Sequence, residues 1–178
     1  MLAGLDRQDA ADAFEAIRLA APAGLGDAPE HDVRDKPEAD LLTAMRAASG
    51  RDRIARAYAE GFDDVSGLGL QALAAARQGG LAPDRQTSAV YLAFLAAVPD
   101  THVVRKHGAA AAEAVRSAAE RLRASLDRGA RPEEPLLRFD RRLKERGLNP
   151  GTSADFTVAT LFADGLISAK GGHIRLVG

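Results

Sequence analysis

Between Thr101 and about Arg128 the chain repeats its apolar residues at helical spacing and not at the two-residue period of a strand. Val104, Ala111, Val115, Ala118 and Leu122 form one stripe, and Glu113, Arg116, Glu120, Arg123 and Asp127 form the opposite one at spacings of 3 and 4 residues. The other periodic stretches before Gly165 share this period. Composition agrees: 38 of the 178 residues are Ala, aromatics are 4% and Trp is absent. Such a chain has good helix formers and few of the bulky residues that fill a pleated surface. The expectation is an all-α, single globular domain of about seven or eight helices.

The punctuation divides the run into elements. Asp6 suits an N-cap for a helix to about Ala21, which Pro22 stops. The segment from Pro22 to Pro37 holds three prolines and two glycines and reads as a loop. Further helices carry Leu41, Leu42 and Met45; then Ile54, Ala55, Tyr58 and Phe62; then Val65 to Leu73, with Gly67 and Gly69 as close-packing points. Pro83 opens a helix that Pro99 ends, and the long periodic helix follows from Thr101. Gly129 to Pro135 is a linker, Leu136 to Leu148 another helix, and the last helix spans about Ser153 to Ala163. The domain is expected over residues 1–164. Residues 165–178 form a tail with Gly171 and Gly172 placed for a small hairpin.

Several function classes drop out. There is no Cys, hence no disulfide scaffold, thiolate metal site or cysteine nucleophile. With 24 Lys and Arg against 25 Asp and Glu, the chain lacks the charge excess of a nucleic-acid binder. A winged-helix reading of the C-terminus fails because its basic excess is small. The apolar stretch around Ala89 to Val98 is too short for a membrane span and reads as a core helix. No phosphate-loop, dinucleotide-binding, zinc-protease or nucleophile-elbow motif occurs. The expected setting is cytoplasmic.

Four constellations can carry chemistry. The run Asn149, Pro150, Gly151, Thr152, Ser153, Ala154, Asp155 reads as a turn entering a helix. Thr152 and Asp155 have the spacing of a capping box; the alternative is an anion site, with Asp155 holding an accompanying Mg²⁺. His102, Arg105 and Lys106 lie on one helix face at i, i+3 and i+4. Cations in the first turns of a long helix oppose its dipole, so this face calls for an anion or for acids elsewhere in the fold. His31 and Asp32, beside Gly24-Leu25-Gly26 in the long loop, offer a base or metal ligand, or simply a surface loop. Asp63 and Asp64 point about 100° apart on a helix, so one of the pair can face a site or both are solvated.

Taken in order, these motifs resemble the triphosphoribosyl-dephospho-CoA synthases. The resemblance lies in Gly24-Leu25-Gly26 with His31-Asp32-Val33, Arg51-Asp52-Arg53-Ile54-Ala55 and Gly61-Phe62-Asp63-Asp64. It continues through Asp100-Thr101-His102 with Arg105-Lys106-His107-Gly108, then Asn149 to Asp155 with Thr160-Leu161-Phe162. The resemblance implies a transferase that moves the triphosphoribosyl group of ATP to the 2′-hydroxyl of 3′-dephospho-CoA with release of adenine. It further implies that Arg105, Lys106, His107, Asn149, Gly151, Thr152 and Ser153 bind the nucleotide, and that Asp155 takes Mg²⁺. His31, Asp32, Asp64 and His102 would supply the proton-transfer and charge-stabilising groups.

The wording Arg105-Lys106-His107-Gly108 is closer to a methylotroph and archaeal branch, linked to tetrahydromethanopterin metabolism. Family members also carry an upstream Pro-Gly-Asn turn, a Gly-His-Asp motif and an Asn-Thr-Asn stretch, none of which occurs here. The chain is therefore expected to begin inside the family pattern. The alternative that follows is a non-catalytic helical nucleotide-binding or assembly module. Helices lacking their upstream neighbours would expose apolar surface, so a homo-oligomer or a partner polypeptide is expected.

Overall fold

The structure is a computed structural model that describes Asp12, Glu15, Ala16, Leu19 and residues 40–127 and 133–169. These residues form helices α1 (Leu41–Ala48), α2 (Arg53–Glu60), α3 (Leu70–Gln78), α4 (Pro83–Ala97) and α5 (Thr101–His107). Helices α6 (Ala109–Asp127), α7 (Glu133–Glu145) and α8 (Gly151–Ala169) follow, and a π-helical turn spans Val65–Gly69. No strand occurs among the described residues, so the all-α expectation holds.

Local chemistry sets the boundaries. Asp40 caps α1 by accepting from the Thr43 N–H at 3.0 Å and from its hydroxyl at 2.9 Å. Asp52 caps α2 by accepting from the Ile54 and Ala55 N–H groups at 2.8 and 3.1 Å. Gly61 (φ 91°) and then Phe62 (φ 64°) close α2 in the left-handed region, both donating to the Ala57 carbonyl. The π-turn follows at once.

Helix α4 is the hub. It buries Val90, Leu92, Ala93, Phe94 and Leu95, so its C-terminal half is apolar on more than one side, while its first turns are polar. Leu92 and Leu95 face one core with Val103, Ala112, Val115, Ala119, Leu143 and Leu148. Val90 and Phe94 face a second with Ala57, Val65, Leu73 and Phe156. Phe94 and Phe156 stack there with ring centroids 5.3 Å apart. Gly69 is one of the two expected close-packing points: a Cβ there would collide with Thr160 Oγ1 and Phe94. Gly67 is not, because nothing lies within 4 Å of its Cβ position.

Three boundaries differ from expectation. The long helix from Thr101 is two helices, broken at Gly108, whose φ of 85° and ψ of 163° end α5. The linker expected at Gly129 to Pro135 is shorter at its far end, because α7 already begins at Glu133; residues 129–132 lie outside the described residues. The final helix does not stop near Ala163 but runs through Gly165 to Ala169. The hairpin expected around Gly171 and Gly172 lies outside the described residues. No single helix among the described residues is long and apolar enough to cross a membrane.

Candidate active site

Helices α2, α5 and α8 begin at one place. The Arg53 N–H donates to Thr101 Oγ1 at 3.4 Å, and the Thr101 and Thr152 hydroxyls lie 3.0 Å apart. The His102 N–H reaches Thr152 Oγ1 at 3.2 Å. A helix start leaves its first N–H groups without intrahelical partners and carries a partial positive charge. Three such starts need acceptors together.

Asp100 is the main acceptor. It is 1% exposed. Its Oδ1 accepts from the N–H groups of His102 (3.0 Å) and Val103 (3.2 Å), which caps α5. Its Oδ2 accepts from both the N–H and the hydroxyl of Ser153, each at 2.8 Å, which caps α8 from 53 residues away. One buried carboxylate thus locks two helix starts. The anion at the start of α8 is a side chain of the protein itself. The capping box expected between Thr152 and Asp155 does not form; Thr152 turns to Thr101 and His102, and Asp155 accepts no hydrogen bond among the described residues.

The dipole argument for Arg105, Lys106 and His107 also changes. Because α5 ends at His107, these residues occupy its last turn, where cations complement the dipole. All three are exposed, and Arg105 lies 4.0 Å from Asp52 Oδ2. Asn149 is exposed as well; its carbonyl accepts from the Gly151 N–H at 2.8 Å.

The side chains that converge at the junction are His102 and Asp155, with Arg105 and Lys106 at its rim. The His102 ring lies flat against Gly151: a Cβ on that residue would stand 3.0 Å from Nδ1. Its Nε2 is buried and has no hydrogen-bond partner among the described residues. Burial first, then the charges of Lys106 and Arg105, push the imidazole below its ordinary pKa, against the opposing pull of Asp100 and Asp155. His102 is therefore a neutral imidazole at neutral pH. Asp155 moves the other way. Its partial burial, then the negative charges of Asp100 and Asp52, raise its carboxyl above the usual value, while His102 opposes the shift. Among the described residues no three His, Asp or Glu side chains converge as a metal-binding group.

Asp64 lies on a neighbouring face. It accepts from Arg53 Nε at 2.7 Å and sits 3.8 Å from Arg56 Nη2. The Arg53 hydrogen bond holds its carboxyl below the ordinary value. His31 and Asp32 fall outside the described residues. Sequence reasoning missed Arg53 and the second role of Asp100. The signal for Asp100 was its place before Thr101 as a cap, but nothing local shows that its other oxygen reaches Ser153.

The comparisons with known proteins bear on this junction. The family model CitG, described as ATP:dephospho-CoA triphosphoribosyl transferase, matches residues 1–173. No curated protein and no solved structure matches the chain. The match takes in the junction and all three helix starts that build it, so the chain belongs to the ATP:dephospho-CoA triphosphoribosyl transferase family.

Proposed function

We propose that this chain itself carries out the family's transfer, with the three-helix junction as the reacting centre. The 2′-hydroxyl oxygen of 3′-dephospho-CoA attacks the ribose C1′ of ATP. The C1′–N bond to adenine breaks, its electron pair leaves with the base, and the triphosphate stays on the ribose. One proton leaves the attacking hydroxyl and one reaches the departing adenine.

The observation that carries this reading is the neutral, half-buried His102 with a spare ring nitrogen beside Asp155. A neutral imidazole can take the hydroxyl proton at neutral pH once Nε2, buried in the free protein, is opened to the substrate. Arg105 and Lys106, at the rim, are placed for the triphosphate. His107, Asn149, Gly151 and Thr152 complete the nucleotide side of the junction. Ser153 serves it indirectly, because its N–H and hydroxyl are engaged with Asp100. Asp155 is proposed to bind the Mg²⁺ of Mg-ATP. Its raised pKa reflects partial burial first and the negative charges of Asp100 and Asp52 second, and a bound cation would favour the ionised carboxylate against both. When bound, that ion screens triphosphate charge. Asp64, held ionised by Arg53, stabilises positive charge on the ribose only across a gap. His31 and Asp32 remain proposals for the adenine-side proton and charge.

The Arg105-Lys106-His107-Gly108 wording supports the methylotroph and archaeal branch for the pathway. Val158, Phe162 and Leu166 stand exposed along α8, which supports self-association; sedimentation tests it.

Isothermal titration with Mg-ATP, with and without dephospho-CoA, followed by product analysis, tests the function. Binding with formation of the triphosphoribosyl product and free adenine is expected. Binding of ATP without turnover would instead favour the non-catalytic module.

A further inference from the structure

Arg53 is the one buried cation among the described residues, at 5% exposure. Its guanidinium carbon lies 5.0 Å from the Phe156 ring centroid and 5.6 Å from that of Phe94. Of its five N–H groups, only the one on Nε has an acceptor among the described residues, Asp64. No acceptor among the described residues meets Nη1 or Nη2. Neither nitrogen is sealed from solvent, since the one buried, unpartnered side-chain nitrogen or oxygen among them is His102 Nε2. The guanidinium is therefore clamped along its flanks, anchored at Nε and open at its far edge. An edge left without a protein acceptor, yet reached by solvent, is filled by water or by a ligand.

The location matters as much as the open edge. Arg53 is the first residue of α2, and its own N–H touches Thr101 inside the junction. Its neighbour Asp52 faces Arg105. Two guanidinium groups thus flank one helix start, Arg105 exposed and Arg53 held rigid. A planar fork fixed in orientation suits two oxygens of a phosphate better than a flexible surface cation does.

We infer that the free Nη edge of Arg53 binds a phosphate group of a nucleotide substrate, with Asp64 and the two phenylalanine rings holding the fork in place. This rests on the function proposed above. Two phosphate groups fit the chemistry: the triphosphate of ATP and the pyrophosphate of dephospho-CoA.

The test uses the full chain. Wild type, Arg53→Lys and Asp64→Asn are titrated with inorganic tripolyphosphate, Mg-ATP and dephospho-CoA, and each is checked by thermal unfolding. Arg53→Lys keeps charge and stem but loses the fork; a loss of about 10- to 100-fold in affinity is expected for a lost charge-assisted pair. Asp64→Asn keeps Arg53 but replaces its ionised anchor at Nε by a neutral amide oxygen, and a smaller loss on the same ligand is expected. Parallel loss of tripolyphosphate and Mg-ATP assigns the triphosphate; loss of dephospho-CoA alone assigns the acceptor.

Wild-type affinity for all three in folded Arg53→Lys overturns the inference. Should that variant unfold, the arginine side-chain ¹⁵N signals of wild type decide. Tripolyphosphate must move the Arg53 signal, and an unmoved signal or no binding overturns it. If wild type binds tripolyphosphate through Arg53 but neither nucleotide, the anion site stands and the proposed function falls.

Discussion

The two ends of α8 are tied down by carboxylates in opposite ways. At its start, Asp100 gives both oxygens to four donors and is 1% exposed. Towards its end, Asp164 takes a two-pronged bond from Arg77 at 2.7 and 2.6 Å, shorter than any contact Asp100 makes. Yet the Arg77 side chain is 49% exposed. Distance alone would rank the second contact higher. Burial reverses the order, because water replaces the partners of an exposed pair and cannot replace those of a buried one.

Asp100→Ala should have the largest effect. It strands the Ser153 N–H and hydroxyl and the first N–H groups of α5, in a place water does not reach. A loss of about 2–4 kcal/mol is expected by urea unfolding. Asp100→Asn should lose less, since an amide oxygen still accepts while its NH₂ faces the Ser153 donors. A loss under about 1 kcal/mol in Asp100→Ala would show that the two helix starts are held by packing alone.

Next comes Gly69→Ala, which lies between the two ends. Its Cβ would meet Thr160, itself bonded to the Phe156 carbonyl at 2.8 Å, and the Phe94 ring. Neither neighbour has room to move, so about 1–3 kcal/mol should be lost to overpacking. Gly67→Ala, facing open space two residues earlier, is the control. Equal melting temperatures for the two variants would break the account of the π-turn. Arg77→Ala should cost about 1 kcal/mol or less at the far end of α8, and the cost should shrink further in high salt. A loss matching that of Asp100→Ala would erase the contrast between the two ends.

The same contrast marks what the sequence could tell. Helix class and most boundaries follow from periodicity and from Pro83 and Pro99, which act within a few residues of themselves. The break at Gly108 escaped because Val104 and Ala111 keep helical phase across it. A lone glycine in such a pattern usually costs only about 1 kcal/mol and is carried along. That miss then misplaced Arg105, Lys106 and His107 relative to the dipole. His102 and Asp155 were legible as candidates because their motifs are local. Arg53 was not, because its burial depends on Phe94 and Phe156, which arrive from α4 and α8. Asp100 was readable as a cap for α5, whereas its bond to Ser153 belongs to tertiary structure.

Asp155 offers the finest comparison, since it shares the start of α8 with Asp100 yet is exposed and unbonded. Its folded pKa is raised above the ordinary aspartate value of 3.8, so ionisation opposes folding. The sign follows directly. Below pH 3.8 the carboxyl is protonated in both states and costs nothing. As pH rises through the folded pKa, stability relative to a neutral side chain is lost, and the deficit persists to neutral pH. Asp155→Asn should therefore be slightly more stable than wild type at pH 7, with the difference fading towards pH 3.5. His102 sets an opposite slope in acid. Its pKa is lowered from 6.5, so the stability of both proteins should fall as pH drops below about 6.5, and more so in Asp155→Asn, which lacks a carboxylate that favours the His102 cation. Mg-ATP should raise the melting temperature of wild type more than that of Asp155→Asn. A variant less stable than wild type at pH 7 would mean that Asp155 has an attractive partner in the fold, and would remove the reason for placing the cation there.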